Sequence, residues 1–202
     1  RWTNTQGGLV STTQFAIPAK GQLSLLLRQI FPNVTVPGWL SIDVDLDQVS
    51  GFWLGGDFVN STDGAPLMNS RSAVALPVFV SITSKSEISL INAGPTAASG
   101  FFSLFNSSGQ NVINVLFDVP AFGVFQQPVA SMFPAYANDF DSSGYWIRAN
   151  PNSAEAKLVG TTLTTTARDN VVANAAVVPA NQFVFPQIVA GEIGGSIYNT
   201  QL

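Results

Sequence analysis

Hydrophobic positions along the chain alternate with polar ones far more often than they recur every third or fourth residue. Short runs rich in Val, Ile, Thr and Phe stand between Gly, Pro, Asn-Ser and Asp-Gly, at residues 39–49, 51–59, 73–82, 88–91, 101–105, 112–119, 145–149, 158–166 and 182–189. Runs of this length, bounded by turn residues, predict β-strands. Helical spacing is scarce. Residues 21–31 (GQLSLLLRQIF) place Leu23, Leu26, Leu27 and Ile30 at i, i+3, i+4 and i+7, which predicts one helix of about two to three turns. Many short strands with frequent turns argue for antiparallel β-sandwiches, so the expected fold class is all-β.

An internal repeat organises these strands. Asn4-Thr5-Gln6-Gly7 is matched by Asn106-Ser107-Ser108-Gly109, Phe15-Ala16-Ile17-Pro18-Ala19-Lys20-Gly21 by Phe117-Asp118-Val119-Pro120-Ala121-Phe122-Gly123, and Ile30-Phe31-Pro32 by Met132-Phe133-Pro134, all 102 residues apart. After a longer insertion at residues 135–143, Gly38-Trp39 faces Gly144-Tyr145 at 106. Ser50-Gly51 then faces Val159-Gly160, and Leu76-Pro77 faces Phe185-Pro186, at 109. The steps fall where loops are expected. The chain therefore reads as two tandem antiparallel, immunoglobulin-like β-sandwich domains related by duplication.

The phase of the repeat carries the functional expectation. The second repeat has a strand ahead of its Asn106 turn, at residues 87–92 (EISLIN), whereas the first begins at Trp2, opposite Leu104, with no residues for a counterpart. At the far end, residues 183–189 match the run that leads out of the first repeat, and Ile197 sits opposite Ile88. The expected parts are residues 1–82, a sandwich lacking its first strand; 83–190, a second sandwich; and 191–202, a C-terminal donor strand. A sandwich short of a strand exposes unpaired backbone groups and an apolar groove, which must be covered. The expected acceptor lining is Trp2, Val10, Phe15, Ile17, Val74, Leu76 and Val78. The expected donor runs from Ile193 to Leu202, with Ile197 and either Tyr198 or Leu202 inserted; Ile197 and Tyr198 point to opposite faces, so the register stays open. Gly191, Gly194 and Gly195 give the segment reach. It either folds back within the chain or enters the next molecule, and the latter is a head-to-tail contact that propagates as an open filament.

This phase resembles the subunits of secreted donor-strand-exchange filaments and, more broadly, bacterial and archaeal cell-surface proteins with tandem immunoglobulin-like repeats. The resemblance covers the whole chain and rests on the repeat rather than on a signature motif. It implies a structural subunit of a pilus or fibre, without catalysis, whose partner is a further copy of itself.

Composition narrows the alternatives. Of 202 residues, 46% are hydrophobic and only 10% charged, which excludes disorder. Eight basic against twelve acidic residues give a net charge of −4, without the basic footprint that nucleic acid or an anionic membrane requires. With no Cys and no His, disulfides, thiolate or imidazole metal sites and Ser-His-Asp triads are ruled out, so neither enzyme activity nor a cofactor is expected. The longest apolar stretch, residues 74–82, is far short of the ~20 residues of a membrane span. A start at Arg1 without a leader reads as a mature or excised product, and low charge with abundant Ser, Thr, Asn, Val and Gly points to an extracellular or cell-surface location.

Three further features bear on chemistry. Asp43, Asp45 and Asp47 alternate along a predicted strand, a weak candidate for Ca²⁺; Gln48 and Leu54 break the EF-hand pattern, and a solvated strand face is the competing reading. Asp63, Asp139 and Asp141 are weaker still. Trp2, Trp39, Trp53, Tyr136, Tyr145 and Trp146 suit either a sandwich core or a stacking platform for surface glycans. Asn33, Asn60 and Asn106 begin N-glycosylation triplets. The alternative function is thus a cell-surface adhesin or carbohydrate-binding module excised from a longer tandem-repeat protein. A hydrolase using carboxylates alone ranks behind it.

Overall fold

The computed structural model describes residues 1–45, 49–56, 62–68, 77–79, 82–165, 170–175, 190–193 and 196–199. The N-terminal half contains β1 (Trp2–Asn4), β2 (Leu9–Ser11), α1 (Leu27–Ile30), β3 (Gly38–Leu40), β4 (Phe52–Gly56) and β5 (Thr62–Pro66). There follow β6 (Val78–Phe79), β7 (Ser86–Asn92), β8 (Ala98–Phe105), β9 (Asn111–Val119), β10 (Val124–Pro128) and α2 (Val129–Met132). A 3₁₀ turn (Pro134–Tyr136), α3 (Phe140–Ser143), β11 (Trp146–Pro151), β12 (Leu158–Thr165) and β13 (Asn170–Asn174) complete the C-terminal half, and β14 (Ala190–Ile193) and β15 (Ser196–Asn199) end the chain. The described ladders are all antiparallel and each helix is a single turn, so the chain is all-β. No helix among the described residues is long and apolar enough to cross a membrane.

The C-terminal half is sandwich-like. One four-stranded sheet has the order β10-β7-β12-β13 and the other β6-β11-β8-β9. Ile88 and Leu90 from the first meet Phe102, Leu104 and Ile147 from the second in one core. At its centre the Phe102 ring lies 4.9 Å from Phe117, 5.2 Å from Phe125 and 6.3 Å from Phe79, so β6, β8, β9 and β10 share one aromatic cluster. Strand β7 alternates strictly: Ser86, Ile88, Leu90 and Asn92 are buried and the residues between them are half-buried. Buried Asn92 is satisfied, donating Nδ2 to the carbonyls of Thr96 (2.7 Å) and Pro120 (3.1 Å) and accepting from the Gly94 N–H at 3.0 Å.

Local geometry recurs between the halves at the positions the sequence pairs. In the first turn Gly7 (φ 90°) donates to the Asn4 carbonyl, and the Asn4 side chain accepts from the N–H groups of Gln6 and Gly8. In the second, Gly109 (φ 79°) donates to the Asn106 carbonyl, and the Asn106 side chain accepts from Ser108 and Gln110. Lys20 (φ 59°) and Phe122 (φ 55°) take the left-handed conformation inside turns closed by Gly21 N–H to Pro18 O and Gly123 N–H to Pro120 O. Phe31 (φ −133°) and Phe133 (φ −128°) end α1 and α2 alike.

Three expectations need correction. The helix predicted over residues 21–31 is only the turn Leu27–Ile30, because Leu26 is extended (φ −74°, ψ 146°), as Pro128 is ahead of α2 (φ −61°, ψ 135°). Residues 22–26 occupy the position of β10, and their leucine spacing fits an extended segment followed by one turn. The strand predicted over residues 39–49 ends at Leu40. The ladders place Trp39 opposite Thr3 and Trp146 opposite Phe105, so the structural counterpart of Trp39 is Trp146, not Tyr145. The shift arises because Gly144 (φ 61°) is spent on ending α3.

Removing the ring at the centre of the aromatic cluster, Phe102→Ala, is expected to lower unfolding free energy by about 3–5 kcal/mol, read from the denaturant midpoint. A loss below about 1 kcal/mol would mean that the cluster is not the core.

Candidate functional site

The strands β6 and β7 complete the C-terminal half, and both come from the segment that runs on from the N-terminal half. β6 pairs with β11 at the edge of one sheet, while β7 sits between β10 and β12 in the middle of the other. Their crossover is latched. Ser84 donates its N–H to Asp141 Oδ1 at 2.9 Å and its hydroxyl to Oδ2 at 2.8 Å, and these bonds hold the Asp141 carboxyl below its ordinary value. Asp141 stands on α3 within the insertion, and the neighbouring Phe140 is buried edge-on to Phe133 (6.4 Å) and Tyr145 (5.5 Å). Gly160 leaves room for Phe79, since a Cβ there would lie 2.6 Å from the ring.

The described residues of the N-terminal half show a similar strand order, with no strand among them at the positions of β6 and β7. Its three-stranded sheet, order β2-β1-β3, corresponds to β9-β8-β11, and the β4–β5 ribbon corresponds to β12–β13. Among the described residues nothing pairs with the far edge of β4, where β12 meets β7, and nothing extends β3, where β11 meets β6. The ribbon lies beside β13 without joining its ladder. Side chains report the same gap. Phe15, Ile17 and Leu27 are 50%, 47% and 47% exposed, whereas Phe117, Val119 and Val129 at the matching positions are 4%, 0% and 0% exposed. Leu23, matching the half-buried Phe125, is exposed as well. Phe31 is covered by Trp2 (rings 6.1 Å apart), and beside them a cleft of about 740 Å³ opens between Trp2, Leu26, Leu27, Val36 and Pro37. The first half carries no helix at the position where the second places α3.

Of the expected acceptor residues, the structure brings Trp2 to the cleft and leaves Val10, Phe15 and Ile17 exposed on the same half. Val78 departs from the set: it is laddered to Arg148 in β11, so it belongs to the C-terminal sheet, ahead of the boundary expected at residue 82. Val74 and Leu76 lie outside the described residues, as do Leu202, Asp47 and Asn60. The backbone of Ile193, Ile197 and Tyr198 falls in β14 and β15, which pair with each other from Ala190↔Asn199 to Ile193↔Ser196. Sequence reasoning named Asp141 only as a weak acidic candidate beside Asp139 in the insertion and missed its bond to Ser84.

The other candidates do not converge. Asp43 forms an ion pair with Arg1 at 3.0 Å, Asp43 and Asp45 lie outside any strand, and no group of three acidic side chains gathers among the described residues. The aromatic residues are dispersed. Trp39 donates Nε1 to the Phe122 carbonyl at 2.8 Å, Trp146 stacks on Phe105 at 4.1 Å, Tyr136 and Tyr145 pack against the core, and Trp53 is exposed on β4. Asn33 is exposed, while the Asn106 amide is engaged in its own turn. No family model, curated protein or solved structure matches the chain.

The latch has a pH signature. Because the folded Asp141 carboxyl titrates below its ordinary value of 3.8, the latch is complete above that pH and is lost as the pH falls through the lowered value. Carboxyl NMR titration is expected to show Asp141 below 3.8. Ser84→Ala is expected to move it only part of the way back, since the larger cause, the Ser84 backbone N–H, remains. A midpoint of 3.8 in the unmutated chain would remove the latch.

Proposed function

We propose that the chain is a structural, non-catalytic subunit of an extracellular filament, built from two duplicated sandwich units, in which the C-terminal segment of one molecule completes the N-terminal half of the next. The observation that carries this reading is the exposure of Phe15, Ile17 and Leu27 beside the burial of Phe117, Val119 and Val129 at matching positions. One frame holds two occupancies, and the difference tracks the presence of β6 and β7.

The occupant follows from the repeat. Residues 187–201 stand 109 positions after residues 78–92, which puts Ile188 at the place of Phe79, Ile197 at that of Ile88 and Gln201 at that of Asn92. An Asn92-like amide at residue 201 would find the Pro18 carbonyl where Asn92 finds that of Pro120. Among the described residues β14 and β15 pair with each other, and a two-stranded ladder alone is marginal in water, which favours release of the segment. Phe15, Ile17, Leu23 and Leu27 are already about half covered, so covering the rest is favourable by about 0.7–1.5 kcal/mol per side chain, a few kcal/mol when summed. The added strand contributes ladder hydrogen bonds along β4 and residues 22–26, the donor-strand form of β-augmentation.

Deleting residues 193–202 tests this reading. The truncated chain is expected to yield monomers that adhere to hydrophobic surfaces, with no filaments by negative-stain microscopy. Added peptide spanning residues 187–202 is expected to raise its melting temperature. Filaments formed by the truncated chain would overturn strand donation.

A further inference from the structure

Besides the β4–β5 ribbon that lies beside β13, the two halves meet through a turn seated on a turn. In the N-terminal half, the Asn4 turn presents the Thr5 carbonyl, which accepts the Val124 N–H at 2.9 Å, and Gln6, which forms an antiparallel bridge with Gly123. The Trp39 indole adds its bond to the Phe122 carbonyl at 2.8 Å. Approach is close enough that a Cβ on Gly7 would lie 2.0 Å from the Ala121 carbonyl oxygen. The donor surface is therefore the Asn-x-x-Gly turn with the β3 tryptophan, and the receiving surface is the left-handed Pro-x-x-Gly turn.

Each surface occurs twice in the chain, and one example of each is unused. The Asn106 turn has the hydrogen bonds of the Asn4 turn, yet nothing lies within 4 Å of a Cβ placed on Gly109. Trp146 stands at the register position of Trp39 and its indole N–H donates to nothing among the described residues. The receiving turn of the N-terminal half, from Pro18 to Gly21, has the Lys20 φ of 59° that Phe122 matches at 55°, and its residues are exposed. Among the described residues, a donor turn is thus unoccupied on the C-terminal half and a receiving turn on the N-terminal half.

We propose that the turn at residues 106–110 docks on the turn at residues 18–21 of a second copy of this chain. Moving the internal contact by 102 residues pairs the Ser107 carbonyl with the Gln22 N–H, sets Ser108 against Gly21, and seats Gly109 on the Ala19 carbonyl. Trp146 then lies next to the Lys20 carbonyl. The proposal rests on the two-unit reading above and adds a second, separable contact to it. Its sense is the same: within the chain, the half that supplies the turn also supplies β6 and β7 to its neighbour.

The chain has no cysteine, so a disulfide between Ser107→Cys and Gln22→Cys reports this contact alone. Both positions are exposed and the double variant is expected to fold. Oxidation under assembly conditions is expected to give a ladder of covalent multimers on a non-reducing gel, which neither single variant gives. Filaments in micrographs without a ladder would overturn the turn contact and leave strand donation standing. A ladder of full strength after deletion of residues 193–202 would uphold the turn contact and overturn strand donation. Absence of both filaments and ladder would overturn the two together.

Discussion

Strand β7 is the member on which the C-terminal half depends. It is hydrogen-bonded on both edges, to β10 from Val124↔Ile91 to Pro128↔Glu87 and to β12 from Leu158↔Asn92 to Thr164↔Ser86. Its inward residues Ile88 and Leu90 enter the core that Phe102 organises. Without a central strand, a four-stranded sheet becomes two fragments with two bare edges, and each edge loses both ladder bonds and the side chains that cover the facing sheet. In the N-terminal half residues 22–26 form no strand, β4 and β5 form a ribbon, and Leu23, Leu25 and Leu26 are exposed.

The same reasoning explains why the two halves differ at their latch. In the C-terminal half, the insertion supplies Phe140, which packs against Phe133 and Tyr145, and Asp141, which holds the crossover between β6 and β7 at Ser84. The shorter connection in the N-terminal half leaves an apolar cleft where those groups would stand. A permanent occupant within one chain suits a latch, whereas an occupant that must enter from another molecule is better received by an open groove. In the proposed filament, the insertion marks the half that is filled during folding and its omission marks the half that is filled during assembly.

Much of the frame was legible in the sequence because local chemistry fixed it. The Asn-x-x-Gly and Pro-x-x-Gly turns need their glycines or left-handed residues wherever they occur, and the alternation of EISLIN has one buried face. What was not legible depended on partners. The leucines of residues 21–31 satisfy a helical period as well as a strand followed by a turn, and only the place of β10 decides between them. The strand expected to carry Asp43 and Asp45 needs a backbone partner along its length, and among the described residues the pairing runs only as far as Ser41, against Arg1. The single turn of α3 has no periodicity to read, so its Gly144 hid the equivalence of Trp39 and Trp146. Exposure at Phe15 and Ile17 was beyond composition altogether, since Phe117 and Val119, 102 positions later, are buried.

Two of the contacts that join the halves, besides the β4–β5 ribbon beside β13, act in different directions. A strand inserted along its length fixes translation and one axis, but a twist about that strand remains; the seat of Gln6 on Gly123 and the Trp39 bond to Phe122, away from the strand, remove it. If the same pair of anchors acts between molecules, each step from half to half repeats one rotation and one rise, whether or not a peptide bond crosses it. Such a repeated operation closes into a ring only for special angles and otherwise gives a helix whose structural period is half a subunit. The proposed filament is therefore a continuous array of similar units in which covalent and noncovalent junctions alternate, with its strength set by the junction that lacks the latch.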